Sequence, residues 1–162
     1  MFGRKKKETS QQLSHPILGE IISTPFLHTA KSFDIMLFGR KHTVFLYINS
    51  SEYIEKKAFT HEQEKAIIYF TEDLAAIERV LENQLKIFFE NDDYISFEKS
   101  ISLENITISS TGELAAFFNL EFSDEELTNA KSSAYFTDTC GIVVYPIEKI
   151  LYNEEECYGF DS

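Results

Sequence analysis

Apolar and polar residues alternate with a period of two along several short stretches of the chain. In residues 33–38, Phe33, Ile35 and Leu37 fall on one face, whereas Asp34 and Met36 fall on the other. This alternation predicts a half-buried β-strand. Further short apolar stretches predict strands at residues 17–23, 43–48, 103–108, 119–122, 133–137, 141–145 and 149–152. The stretch 43–48 is apolar on both faces, as expected for an interior strand that is covered on both sides.

The pattern becomes helical at Thr60. Thr60 and Gln63 have the spacing of a capping box, in which each side chain accepts from the other residue's backbone N–H. Apolar residues then recur at intervals of three or four, at Ile67, Phe70, Leu74, Ile77, Leu81, Leu85 and Phe88. One straight helix over this stretch would be about 45 Å long. The residues around Asp73 offer a second N-cap, so the sequence is compatible with one helix and equally with two.

Two other segments have the spacing of a capping box. Ser110 and Glu113 predict a short helix through residues 114–117. Ser123 and Glu126 share the same spacing, which fits either one helical turn or a plain loop at residues 123–130. Pro146 has no backbone N–H, so we expect it at a sheet edge or a bulge. A turn is predicted at residues 138–141.

The order of these elements is strands, helices, a short helix and strands again. It predicts an α+β fold in which helices pack on one face of a mostly antiparallel sheet. A length of 162 residues, 43% of them hydrophobic, suits one domain. Residues 1–12 contain the basic run Arg4–Lys7 with no apolar stretch behind it. We therefore expect a flexible basic tail at 1–12 and a single domain at 13–162.

Acidic residues are concentrated in the second half of the chain. Residues 90–162 contain 16 acidic and three basic residues, whereas the first 89 residues are nearly balanced in charge. Such a half could steer a basic partner toward it, although a solubilising surface would have the same composition. The predicted partner-binding residues are two acidic blocks and the aromatic residues near the second: Asp124, Glu125, Glu126, Tyr152, Glu154, Glu155, Glu156, Tyr158 and Phe160.

No motif for catalysis or for cofactor binding is present in the sequence. The four histidines lack metal-ligand spacing, the two cysteines lack the Cys-x-x-Cys spacing, and no glycine-rich phosphate loop occurs. We therefore predict no catalytic residues, no metal site, no cofactor and no enzyme activity. The acidic half disfavours nucleic acid as a partner. Without a long apolar run or a signal peptide, and with only Cys140 and Cys157, we expect no membrane association and a cytoplasmic protein with reduced cysteines.

Four short motifs carry a resemblance to a known group of proteins. They are His15-Pro16-Ile17-Leu18-Gly19, Phe38-Gly39-Arg40-Lys41-His42-Thr43-Val44, Thr60-His61-Glu62-Gln63-Glu64 and Ser110-Thr111-Gly112-Glu113-Leu114. With them, the chain resembles a family of small uncharacterised bacterial cytoplasmic domains that includes immunity proteins of toxin and contact-dependent inhibition systems.

The resemblance implies an antitoxin that binds and neutralises a cognate toxin domain. Many such toxins are nucleases with a basic cleft, and an acidic surface would complement that cleft. The alternative function is a non-catalytic scaffold or regulatory binding protein, whose partner would be neither basic nor toxic. An enzyme would require a pocket with convergent polar groups.

Overall fold

The computed structural model describes residues 11–24, 27–30, 32–49, 59–88, 101–121, 123–129 and 141–160. They form an α+β domain with a mostly antiparallel sheet, as predicted. The strands are β1 (Gln11–His15), β2 (Gly19–Ser23), β3 (Leu27–Ala30), β4 (Phe33–Leu37), β5 (Arg40–Asn49), β6 (Ile101–Ile108), β7 (Leu114–Leu120), β8 (Gly141–Tyr145) and β9 (Lys149–Leu151). The helices are α1 (His61–Glu72), α2 (Leu74–Phe88), α3 (Asp124–Asn129) and α4 (Glu154–Phe160).

The strand order in the sheet is β1-β2-β3-β5-β6-β7-β8-β9, and β4 pairs with the first half of β5. Among the described strands, only β5 and β6 pair in parallel. A parallel pair requires a long crossover connection, and here the connection contains α1 and α2. This crossover is what brings the two long helices onto one face of the sheet.

The main core lies between these helices and the sheet. Alternate residues of the central strands point toward α1 and α2, as the period-2 pattern predicted. The fully buried members of this core are Ile21, Leu37, Leu46, Ile48, Ile67, Ile77, Leu81, Leu85, Ile106, Ile108 and Leu114. Burying one such aliphatic side chain stabilises the fold by about 1.5–3 kcal/mol, so this layer is the main source of stability.

Helix α1 begins at the predicted capping box. Thr60 Oγ1 accepts from Gln63 N at 3.1 Å, and Gln63 Oε1 accepts from Thr60 N at 3.1 Å. The buried Gln63 amide also donates to the carbonyl oxygens of Asn49 (2.6 Å) and Ser109 (3.1 Å). One side chain thus caps the helix and attaches it to the ends of β5 and β6.

The long helical stretch is divided at Asp73, one of the two alternatives that the sequence left open. Asp73 N donates to Tyr69 O at 3.1 Å and ends α1. Its side-chain Oδ1 accepts from Ala76 N at 3.0 Å and caps α2. Asp73 therefore ends one helix and caps the next.

The first predicted strand is wrong in its extent. Residues 17–23 were expected to be one strand, but the structure has a hairpin of β1 and β2 with a turn at residues 16–18. His15 stabilises this turn, because its Nδ1 accepts from the backbone N–H groups of Ile17 (3.1 Å) and Leu18 (3.2 Å). Its Nε2 lies 2.9 Å from a carboxylate oxygen of Glu64 on α1. Strand β1 also begins at Gln11, two residues inside the predicted tail.

The predicted short helix at residues 114–117 is also wrong, because these residues belong to β7. Ser109, not Ser110, accepts from Glu113 N, and it does so in the tight loop between β6 and β7. Gly112 in this loop has φ +88° and lies against α1. Leu114 and its neighbours are apolar on both faces because the strand is covered on both sides, and this tertiary burial overrides the local capping pattern.

The remaining strand predictions agree with the structure where it describes them. Strands β4, β5, β6, β8 and β9 lie at the predicted positions, and α3 is the helical one of the two alternatives left open for residues 123–130. Residues 119–122 were predicted as a separate strand, but 119 and 120 end β7. Strand β3 was not predicted. Pro146 follows β8 directly, after a cis peptide bond. The predicted strand at 133–137 and most of the turn at 138–141 lie outside the described residues.

Candidate functional site

The second face of the sheet is only partly covered. Residues that alternate with the main core point to this face, and at its β8–β9 end they pack against α4. This smaller core consists of Ala115, Val143, Leu151 and Phe160. The sequence predicted Phe160 as a partner-binding anchor, but it is only 8% exposed and its ring lies 5.9 Å from that of Phe117. Phe160 is therefore a core residue that holds α4 on the sheet.

The acidic block at residues 154–156 forms the first turn of α4, a helix that the sequence analysis did not identify. Asn153 Oδ1 accepts from Glu156 N at 2.9 Å, and Glu156 Oε2 accepts from Tyr152 N at 2.6 Å. Three carboxylates here are also favourable because the N-terminal end of a helix carries partial positive charge. Glu156 is thus occupied by a bond that defines the start of the helix, whereas Glu154 and Glu155 are exposed.

Cys157, in the middle of α4, is disulfide-bonded. This finding corrects the expectation of reduced cysteines. The second cysteine in the sequence, Cys140, lies outside the described residues. A disulfide at this position adds a covalent restraint to a helix of seven residues that would not be stable alone.

A pocket of about 420 Å³ lies on the uncovered part of this face, beside α4. The sheet contributes the part of the lining that we call the floor: Leu27, Tyr47, Asn49, Asn105, Thr107 and Phe117. Helix α4 contributes the part that we call the helical wall: Glu154, Cys157 and Tyr158. Two residues predicted from the sequence as partner-binding, Glu154 and Tyr158, therefore lie together at a concave surface.

The floor of the pocket is held in place by contacts within the sheet. Thr107 Oγ1 donates to Asn105 Oδ1 at 3.0 Å. The Phe117 ring lies over Gly141 on the neighbouring strand, where a methyl group would come within 3.0 Å of the ring. Tyr47 stacks on Phe45 with 6.2 Å between the ring centroids. The aromatic and amide groups of the floor are therefore ordered by their neighbours.

The other predicted residues lie away from the pocket lining. Tyr152 is half-exposed, and its ring lies 6.0 Å from that of Phe88. Asp124 and Glu125 are exposed on α3, where Glu126 also lies. Strands β7 and β9 run in the same direction, so their C-terminal ends lie on the same side of the sheet. The two acidic helices, α3 and α4, follow these strands and therefore begin on that side.

The described histidines with defined contacts have structural roles. His42 is buried, its Nε2 donates to Leu37 O at 3.3 Å, and its Nδ1 accepts from Leu103 N at 3.4 Å. Burial, followed by the nearby charge of Arg40, lowers the pKa of His42. The described part of the chain contains no cluster of three or more residues suited to metal ligation. It also contains no helix long and apolar enough to cross a membrane.

Sequence reasoning did not identify the sheet residues of the pocket. The apolar pattern around Tyr47 indicated only that both faces of β5 are buried, and Phe117 fell in the short helix predicted at residues 114–117. Asn105 and Thr107 are polar residues of β6 that lie between its buried isoleucines, and they are the signal in the sequence that this face is not fully covered. Their convergence with α4 depends on the pairing of β5, β6 and β7, which no local pattern specifies.

Comparison of the chain with protein-family models, with curated proteins and with solved structures found no match.

Proposed function

We propose that this protein is a non-enzymatic binding protein that captures a basic protein partner on the uncovered sheet face beside α4. In keeping with the resemblance of its motifs, the proposed partner is a cognate bacterial toxin domain with a basic surface. The chain would then be an immunity protein, acting in the cytoplasm. The observation that carries the proposal is the position of Glu154 and Tyr158 at the rim of a concave pocket.

The charges available at this rim support a basic partner. Glu154 and Glu155 are exposed, and neither has an ion-pair or hydrogen-bond partner within the ranges that the structure describes. Their charge is therefore not neutralised by neighbouring described groups. Complementary fields can raise association rates to about 10⁸–10⁹ M⁻¹s⁻¹ at low salt, which suits a protein that must capture a toxin before it acts.

Exposed aromatic surface beside these charges supports a protein partner. Tyr158 is 73% exposed at the pocket wall, and Phe45 is 47% exposed next to Tyr47 on the same sheet face. Aromatic residues are enriched among the residues that contribute most binding energy in interfaces. In this arrangement, acidic groups set the rate of encounter and the aromatic groups slow dissociation.

The disulfide at Cys157 bears on the proposed compartment, because thiols in a bacterial cytoplasm are mostly kept reduced. A protein that acts there must bind its partner in the reduced form as well. The proposed function therefore requires that a complex forms in the presence of a reductant.

The experiment that tests the proposal starts from the gene neighbourhood. If an adjacent gene encodes a large secreted protein with a toxic C-terminal domain, that domain is expressed in cells with and without this protein. We expect survival only when both are present, together with a complex of the two that co-elutes in size-exclusion chromatography. Protection without a complex, or turnover of a substrate by this protein alone, would contradict the proposal. A stable complex with a partner that is neither basic nor toxic would favour the scaffold alternative.

A further inference from the structure

We infer that the pocket beside α4 receives an arginine side chain of the partner protein. This inference rests on the proposed function, since it specifies which group of a basic partner enters the site. It follows from the chemistry of the pocket lining.

The charge of the lining favours a cation. Among the described residues that line the pocket, Glu154 is the one that carries a charge, and none is basic. An anion would meet this carboxylate without a compensating positive charge from any of them. A cation entering the pocket would instead form a charge-assisted hydrogen bond with Glu154.

The aromatic side chains favour a flat cation. Tyr47, Phe117 and Tyr158 contribute ring surface to the floor and to the helical wall. A guanidinium group over a tyrosine face is attracted by the negative face of the ring, and more strongly when it is desolvated. Arginine stacks on aromatic faces because its guanidinium is planar and weakly hydrated, whereas the compact ammonium of lysine retains its water.

The polar floor provides hydrogen-bond acceptors for the same group. Thr107 occupies one lone pair of Asn105 Oδ1, which leaves the second available to a donor from the pocket. Guanidinium has five N–H donors in a fixed plane, so it can donate to several acceptors of the lining, whereas a lysine ammonium presents three donors at one point.

The size of the pocket fits one long side chain. Its volume of about 420 Å³ is near the lower end of the roughly 300–1,000 Å³ of small-ligand pockets. An arginine side chain with bound water can enter such a space, whereas a folded segment of a partner cannot. The partner backbone would remain outside, where it meets Glu155 and the rest of the rim.

The test is an NMR titration of the full chain with N-acetyl-arginine methylamide and, in parallel, with the uncharged isostere N-acetyl-citrulline methylamide. We expect the arginine compound to shift the backbone resonances of the pocket residues in a saturable way, and the citrulline compound to bind at least about tenfold more weakly, a difference of about 1.4 kcal/mol. Equal binding of the two compounds, or arginine-induced shifts that map elsewhere, would overturn the inference.

Glu154→Gln and Glu155→Gln provide a matched pair of variants. Both residues are exposed in the first turn of α4 and both substitutions remove one charge, but only Glu154 lines the pocket. We expect Glu154→Gln to weaken arginine binding about tenfold and Glu155→Gln to leave it nearly unchanged. Equal weakening by both would indicate a diffuse acidic surface and would overturn the pocket assignment. A partner complex that forms normally while arginine does not bind would refute this inference but not the proposed function.

Discussion

Gly112 in the β6–β7 loop lies so close to Glu62 on α1 that a methyl group on Gly112 would come within 2.6 Å of Glu62 Cβ and 2.7 Å of its backbone. The loop and the helix are thus in backbone contact. Gly112 also has φ +88°, a conformation that disfavours any L side chain. The close contact with Glu62 and the positive φ therefore act on the same residue, at the point where the first turn of α1 meets the sheet.

We predict that Gly112→Ala destabilises the protein by about 2–5 kcal/mol, the combined cost of left-handed backbone and steric overlap. Gly19→Ala is the matched control, because Gly19 also has positive φ (+75°) but nothing lies within 4 Å of the added methyl. Gly19→Ala should lower the free energy of unfolding by only about 1–2 kcal/mol. Urea unfolding measures the effect of both substitutions. Equal effects of the two substitutions would show that the contact with Glu62 relaxes freely.

A second prediction concerns the buried amide of Gln63. In Gln63→Glu, the donor to Asn49 O and Ser109 O is replaced by a carboxylate that faces both carbonyl oxygens. We expect a loss of about 3–5 kcal/mol, as for an uncompensated buried charge. Gln12→Glu introduces the same change at an exposed position of β1 and should stay within about 0.5 kcal/mol. A small effect at Gln63, measured by thermal unfolding, would contradict its role in joining α1 to β5 and β6.

The third prediction is a pH dependence of stability from His42. Its pKa is lowered in the folded state, so the folded protein binds fewer protons here than the unfolded chain. The contribution of neutral His42 to the free energy of unfolding is fully present above the histidine pKa of the unfolded chain, about 6.5. It is lost as the pH falls through the pKa of His42 in the folded protein. Over that window, the free energy of unfolding should fall by up to about 1.4 kcal/mol per pH unit.

His42→Gln should remove this part of the pH dependence, whereas His61→Gln, at an exposed position, should keep it. Urea unfolding of the three proteins between neutral pH and about pH 5 makes the comparison. The pH dependence would not come from His42 if the wild-type protein and His42→Gln lost stability equally on acidification.

A fourth prediction follows from the disulfide at Cys157. Cys157→Ser, or treatment of the wild-type protein with a reductant, should lower stability by about 2–4 kcal/mol, the usual range for a native disulfide. Because Cys157 lies on α4, the loss should also increase hydrogen exchange of the α4 amides more than that of α1. Unchanged exchange in α4 after reduction would show that Phe160 and its neighbours hold the helix without the covalent restraint.

Local signals in the sequence predicted the elements whose stabilising contacts are themselves local. The capping box at Thr60 and the N-cap at Asp73 act within three residues, and both formed as their spacing indicates. The same spacing at Ser110 failed because the following residues pair with β6 and β8 and are also packed on both faces of the sheet. Phe160 was misassigned for a related reason, since the surface that buries it includes Ala115 and Phe117 of β7, a strand distant in sequence.

The candidate site also combines residues that the sequence indicated with residues that it did not. Its acidic and exposed members, Glu154 and Tyr158, were evident from composition, whereas the strand residues that complete the pocket were not. Their position depends on the parallel pairing of β5 with β6 across a crossover of more than fifty residues. Such long-range pairing leaves no periodic signal in either strand.

The most direct test measures the rate at which the proposed toxin partner associates with the double variant Glu154→Lys/Glu155→Lys. This rate is compared with the rates for the wild-type protein and for Asp124→Lys/Glu125→Lys, at low and at high ionic strength. Glu156 is left intact because it caps α4 through Tyr152 N. We predict that the charge reversal on α4 slows association at least about tenfold at low ionic strength and flattens the salt dependence of the association rate. The charge reversal on α3 should have a smaller effect. Association at the wild-type rate by the α4 variant at low ionic strength would contradict the central claim, and the acidic charge would then serve only solubility.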